Sequence, residues 1–409
     1  MIIKPFKAIR PRKGLAEKIA ALPYDVMSSS EAREIAKNNP YSFLHIDKAE
    51  IDLDESIDIY DAAVYKKAKS NLEKFIADGS LISDPEEYFY IYRLGMDGRS
   101  QTGLAVCTSV DEYINGKIKK HEHTREDKEL DRINHVDICD ANTGPIFLAY
   151  KAEGGISALI NNYAGTHEKE YSFVSDDGVS HEVWVINDSA AINELTGLFK
   201  AVPNFYIADG HHRNASAVKV ALKRRSNSCP GNEYNYYLSV LFPDNELYIM
   251  DYNRAIKDLN GLTEEGFIHK VKASFFVEPA AGQYKPEKPH TFGMFLNQKW
   301  YKLTAKENII PTGSVSGLDV SILQDNLLGP ILGIDDPRSS KRADFIGGRR
   351  GLGELERRVN NGEMAVAFSM YPTSIKELFD IADAGEIMPP KSTWFEPKLR
   401  SGLFIHKLS

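Results

Sequence analysis

The residues best suited to chemistry sit in one short run, Phe205-Tyr-Ile-Ala-Asp209-Gly210-His211-His212-Arg213. An apolar strand runs into an acidic-glycine turn, and a helix-compatible stretch, Asn214 to Arg225, follows. Strand, glycine turn and helix start make an anion site: Gly210 lets backbone approach a ligand, first-turn N–H groups point outward, and the positive helix end favours phosphate oxygens. His211, His212 and Arg213 add donors, Arg213 as a bidentate fork. An isolated His-His pair is more often a structural turn, one ring on a core carbonyl and the other in water. The strand-turn-helix context shifts the reading toward phosphate. Zinc is disfavoured, because adjacent His side chains diverge and no third ligand has useful spacing.

Other clusters supply partners. Glu386-Ile-Met-Pro-Pro-Lys391-Ser392-Thr393-Trp394-Phe395-Glu-Pro-Lys398 stiffens its approach with two prolines, then offers Lys391, Ser392, Thr393 and Lys398 beside two aromatics. That suits a diphosphate; the plain alternative is an exposed loop with ordinary lysines. His121-Glu122-His123-Thr124-Arg125 follows a basic run and leads into a helix carrying Arg132. His121, Glu122, Thr124 and Arg132 face either a phosphoryl group or its metal, or simply solvent. In Pro23-Tyr24-Asp25-Val26, Asp25 is a base for an attacking hydroxyl or an additional helix cap. Arg10-Pro11-Arg12-Lys13 and Gly347-Gly348-Arg349-Arg350-Gly351 are two further basic pieces. No Walker loop and no H-E-x-x-H occurs.

The elements that must position these groups form a mixed α+β chain with a largely antiparallel sheet. Ser28 and Glu31 form a capping box ahead of a helix that Pro40 stops. A longer helix is expected from about Glu55 to Ala77, ended near Gly79. Hairpins are expected at Asp97-Gly98, Asp177-Gly178 and Pro243-Asp244-Asn245. Further helices are expected near 190–199, 213–225, 318–327, 352–361 and 374–384. Val277 to His290, rich in Pro, Gly, Ala and Lys, reads as a linker, giving regions 1–277 and 290–409.

Composition bounds the partners. The chain has 409 residues, 42% hydrophobic and 26% charged, enough for two or three domains that each bury a core. A net charge of −8 argues against a nucleic-acid coat but leaves room for a local phosphate site. Three widely spaced Cys argue against a disulfide framework. With neither a signal-peptide pattern nor an 18-residue apolar run, a cytoplasmic protein with no membrane partner is expected. Its oligomeric state is not readable.

Asp209-Gly-His-His-Arg213 resembles the phosphate-binding motif of the ParB and sulfiredoxin superfamily, which includes free-serine kinases. Sulfiredoxin carries a Cys in this turn; this chain does not, so thiol repair is disfavoured. The resemblance implies that Asp209, Gly210, His211, His212 and Arg213 lie at phosphates, and that an amino-terminal carboxylate, here Asp25, serves as base. Pro23-Tyr-Asp-Val26, Asn39-Pro-Tyr-Ser-Phe-Leu44, His121-Glu-His-Thr124, Gly144-Pro-Ile-Phe147 and Met388-Pro-Pro-Lys-Ser-Thr393 make the whole chain similar to the bacterial and archaeal family labelled domain of unknown function 1015. Together these imply a small-molecule phosphotransferase, a kinase making O-phospho-L-serine from free serine. The donor is pyrophosphate or a nucleoside phosphate, with Mg²⁺. Asp25, Asp209 and His212 are the expected catalytic residues. Gly210, His211, Arg213, Lys391, Ser392, Thr393 and Lys398 are the expected phosphate ligands, and the metal ligands are left unassigned. A ParB-like nucleotide-binding or DNA-associated regulator and a noncatalytic phosphometabolite sensor are the alternatives.

Overall fold

Asp97 and Gly98 both take positive φ, 51° and 75°, so the alternating runs on either side close into a tight hairpin. This hairpin lies in the first of two units of the computed structural model, which describes residues 1–229, 231–337 and 339–409. The first unit holds Met1–Leu247 together with Pro397–Ser409. Its nine-stranded sheet comprises β1 Ile3–Lys4, β2 Phe89–Met96, β3 Arg99–Ser109, β4 Ile118–Lys119, β5 Ile146–Tyr150, β6 Tyr171–Val174, β7 Ser180–Ile186, β8 Phe205–Asp209 and β9 Tyr236–Pro243. Their spatial order is β4-β8-β5-β9-β3-β2-β7-β6, with β1 beside β3. The β8/β4 and β9/β5 pairs are parallel, and the rest of this sheet is antiparallel.

Trp184, Tyr150, Phe199, Phe205 and Tyr237 fill the main core of this unit. A second core gathers Phe43, Leu72, Phe75 and Ile405 between two helices, α1 Ser29–Ala36 and α2 Ala62–Ala77. The capping box at Ser28 and Glu31 is formed. The longer helix begins seven residues later than its apolar spacing suggests. Asp54, Asp58 and Asp61 each accept a backbone N–H two residues on, which holds the chain in turns until Asp61 caps α2. Two more helices carry the candidate site: α3 Glu126–Cys139 and α4 His211–Ser226. They meet where the Ser216 hydroxyl donates to the Glu129 carbonyl at 3.0 Å.

Gly402 shows how tightly the second core is closed. It sits at φ 85°, and a Cβ there would lie 2.6 Å from the Phe43 ring, which is fully buried. Gly402→Ala is expected to cost about 2–4 kcal/mol, since left-handed strain and overpacking act together. Gly14, at φ 90° with nothing within 4 Å, supplies the control. Gly14→Ala meets strain alone and is expected to cost about 1 kcal/mol. Urea unfolding of both variants checks this; equal losses would show that Phe43 yields freely.

The second unit, Tyr248–Glu396, has a six-stranded antiparallel sheet. It is built from β10 Tyr252–Ile256, β11 Phe275–Ala280, β12 Thr291–Leu296, β13 Lys299–Ala305, β14 Ala343–Gly347 and β15 Val366–Ser369. The order is β11-β13-β12-β15-β10-β14. The expected linker Val277–His290 therefore lies inside this unit: its first residues extend β11, which pairs with β13. Pro279 is tolerated because β11 is an edge strand. The expected hairpin at Pro243-Asp244-Asn245 is not formed. β9 pairs with β3 and β5, and Asp244–Glu246 is a single 3₁₀ turn leading out of the unit. The expected helix 318–327 is an α turn over Asp319–Leu323 that widens to a π turn over Gln324–Leu328. Among the described residues, no helix is long and apolar enough to cross a membrane.

Candidate functional site

β8 delivers Asp209 to the sheet edge, and Gly210, at φ 92° and ψ 32°, turns the chain into α4. No side chain caps that helix end. The first bond of α4 runs from the Asn214 N–H to the Gly210 carbonyl at 2.9 Å, leaving the N–H groups of residues 211–213 ahead of the ladder. The helix starts at His211, two residues earlier than expected, so both His and Arg213 stand on its first turn. A Cβ on Gly210 would lie 3.2 Å from the Arg213 guanidinium, so glycine serves here for space as well as for φ.

Asp209 anchors the turn. One carboxylate oxygen accepts the Gly210 N–H at 2.8 Å, and the other pairs with the Lys398 ammonium at 3.1 Å. Arg213 Nη2 stands 4.0 Å away. Burial alone would raise this carboxyl, but Lys398 and Arg213 outweigh it and hold it well below the usual range. A carboxylate so stabilised is a poor proton acceptor. The expected role of Asp209 as base is thereby replaced by that of an anchor.

Arg213 reaches across to the segment before β5. Its Nη1 donates to the Pro145 carbonyl, and its buried Nε has no hydrogen-bond partner among the described residues. The same cleft is lined by Tyr24, Asp47, Arg132, Asn142 and Thr143. Arg132 is 8% exposed, stacks 3.9 Å from the centre of the Tyr24 ring, and is held by Asp131 at 2.9 Å. Thr143 donates to Asp47 at 2.7 Å. Two buried guanidinium groups thus flank one cleft, an arrangement suited to an oxyanion. Asp25 is exposed on the 3₁₀ turn Tyr24–Val26, and its charge acts on both Tyr24 and Arg213.

The histidines divide. His211 and His121 are buried edge to face, ring centres 4.5 Å apart. Burial pushes the His121 imidazole down to about 4, against a weaker pull from Asp209. Burial and the neighbouring His121 push His211 well below its ordinary value. Both are neutral at pH 7. Both His121 nitrogens and His211 Nε2 have no hydrogen-bond partner among the described residues. Such buried orphans call for a bound water or ligand. His211 Nδ1 stands 3.8 Å from Glu122. His212 instead accepts the Arg125 N–H at Nε2, at 3.0 Å, which ties the 121–125 loop to α4. That nitrogen is occupied, so His212 positions the loop.

Of the other expected residues, Thr124 donates to Glu129 at 2.8 Å just ahead of α3 and is taken up by that contact. Lys391, Ser392 and Thr393 belong to the second unit. There the Ser392 hydroxyl donates to the Pro389 carbonyl at 2.6 Å and bends its own loop. Asp47, Thr143 and Tyr24 line the cleft without having been singled out as ligands. Their only sequence signal is proximity to the Asn39–Leu44, Gly144–Phe147 and Pro23–Val26 motifs. Among the described residues, no group of three or more His, Cys, Asp or Glu is placed to hold a metal. Mg²⁺ needs fewer protein ligands, one or two carboxylates completed by substrate phosphates and water.

The family model described as "Protein of unknown function (DUF1015)" matches residues 3–321. No curated protein matches the chain. A conserved hypothetical protein from Pyrococcus furiosus is 16% identical, with 74% of this chain and 95% of that one covered at a TM-score of 0.37. A free serine kinase in complex with AMP is 15% identical, with 74% and 92% covered at 0.38. SbnI with C-terminal truncation, from Staphylococcus aureus, is 11% identical, with 74% and 87% covered at 0.40.

Proposed function

The chain belongs to the DUF1015 family, and from that premise we propose that its first unit is a small-molecule phosphotransferase that makes O-phospho-L-serine from free L-serine. The observation that carries the reading is the uncapped start of α4, held by the Asp209–Lys398 pair and flanked by Arg213 with an unpaired Nε. Phosphoryl transfer needs positioning and charge neutralisation more than covalent chemistry, and this arrangement supplies both. The donor is pyrophosphate or a nucleoside phosphate, its oxygens on the 211–213 N–H groups and on Arg213.

Asp25 takes the proton of the serine hydroxyl. It makes no hydrogen bond or ion pair among the described residues, and its charge acts on Arg213. The serine oxygen forms its bond to phosphorus as the bond to the departing phosphate breaks. With pyrophosphate as donor, the products are phosphoserine and orthophosphate. Mg²⁺, held by the donor phosphates and water, would supply neutralising charge. His212 and Arg125 hold the loop carrying His121, whose ring packs edge to face on that of His211.

Incubating the protein with L-serine, Mg²⁺ and pyrophosphate, ADP or ATP is expected to yield O-phosphoserine with one donor. No product with any donor would sink the kinase reading. A thermal shift with pyrophosphate but no product would identify a noncatalytic phosphometabolite sensor.

A further inference from the structure

The second unit carries a buried charge that its own fold does not balance. Arg254 lies on β10 at 5% exposure, and no carboxylate pairs with it among the described residues. Its guanidinium donates instead to two carbonyls, those of Tyr252 and, at 3.0 Å, Lys391. Burial pushes its pKa down to about 10. It stands 4.9 Å from the centre of the Phe345 ring and 5.8 Å from that of Tyr252. The Lys391 ammonium is also 5.8 Å from the Tyr252 ring, so two cations converge on one aromatic. Lys391 itself takes φ 58°, a left-handed conformation that is uncommon for lysine. Backbone held this way clusters at ligand clamps. The Trp394 ring packs edge-on against Tyr252 at 4.9 Å, and Gly347 passes so close that a Cβ would lie 2.8 Å from the indole.

A guanidinium taken out of water without a counter-charge is costly. An anion seated against it removes that penalty. We infer that the second unit binds the phosphate group of a small metabolite through Arg254 and Lys391, with Tyr252 and Trp394 as its aromatic wall. A phosphate's two charges match two cations better than a carboxylate's one, and Arg254 is the residue type that forks onto its oxygens. Lys391 is exposed, which gives the ligand an approach from solvent. The net charge of −8 favours a small ligand over a polyanion.

This inference stands apart from catalysis in the first unit, and its test keeps the two separate. In the full chain carrying Arg213→Lys, which weakens the first-unit site, pyrophosphate is titrated calorimetrically without Mg²⁺. Arg254→Met in that background is expected to weaken binding by about tenfold to a hundredfold, the loss typical of a hydrogen bond to a charged group. Methionine preserves length and strands no carboxylate. If that variant does not fold, Lys391→Met, at an exposed position, is expected to weaken binding by a similar factor. Binding unchanged by either substitution, or no binding in the Arg213→Lys chain, overturns the proposal. Absence of phosphoserine formation would leave a positive result intact.

Discussion

Arg213→Lys is expected to lower kcat/KM for phosphoserine formation by about 10²–10³-fold, the usual effect of removing one preorganised donor from developing charge. The substitution keeps the positive charge and so isolates geometry. Arg213 fixes its plane by donating through Nη1 to the Pro145 carbonyl, and its Nη2 stands 4.0 Å from Asp209. The unpaired Nε is left buried close to Gly210. A lysine ammonium is a point charge on a flexible stem; it can satisfy Pro145 or reach the ligand, but not present a fixed fork to both. The loss should appear in KM as well as in kcat, because the fork grips the donor's oxygens before and during transfer. Stability should fall less, since Lys still answers the Asp209 charge. Steady-state kinetics beside a urea melt separate the two effects. A folded Arg213→Lys protein with wild-type kcat/KM would remove this side chain from phosphoryl transfer.

The part of this site that could be read from the sequence is the part made by neighbours in the chain. Gly210 at positive φ, the start of α4 and the Asp97-Gly98 turn all follow from local rules, and all are formed. Lys398 was legible as a cation but not as the partner of Asp209, because that pair spans 189 positions and depends on the chain returning to the first unit. Non-local pairing explains the other differences. Nothing in Pro243-Asp244-Asn245 distinguishes a hairpin from an exit turn. The choice is made by β5, almost a hundred residues earlier, whose Ile146 pairs in parallel with Ser239. Pro279 similarly suggested a linker because proline is rare inside sheets, and only the edge position of β11 makes it admissible. His121 and His211 were each legible as candidates, but their pairing was not, since the two lie far apart in the sequence. Burial, which the sequence does not print, is what makes them neutral.

That burial leads to the second large effect: the first unit is expected to lose stability steeply as pH falls from 6.5 toward 4. His121 and His181 are held down to about 4 and about 3, and His211 lies well below its ordinary value. For His181 the causes are burial and then Arg400, which donates to its Nε2 at 3.3 Å, with Asp177 opposing weakly. In the unfolded chain these rings take up protons near pH 6.5, whereas in the native state they stay neutral until near pH 4 or below. Between those values the unfolded state binds more protons, so lowering pH favours unfolding, by about 1.4 kcal/mol per pH unit for each ring. Two groups act the other way. His45 is raised by its hydrogen bond to Asp52, so its contribution is fully present below about pH 6.5 and fades as pH rises through the raised value. Burial raises the Asp319 carboxyl to about 6, so its contribution is present at low pH and lost as pH rises through 6. Asp319 lies in the second unit, whereas His121, His181 and His211 all lie in the first. Acid should therefore weaken the first unit ahead of the second. Trp184 reports on the first, and Trp300 and Trp394 on the second, so urea melts at pH 7 and pH 5 should show the Trp184 transition moving furthest. His181→Gln, which retains polar atoms toward Tyr92 and Ser175, should reduce the slope of stability against pH by about 1.4 kcal/mol per unit. A slope unchanged in His181→Gln would mean that His181 does not stay neutral in the folded protein.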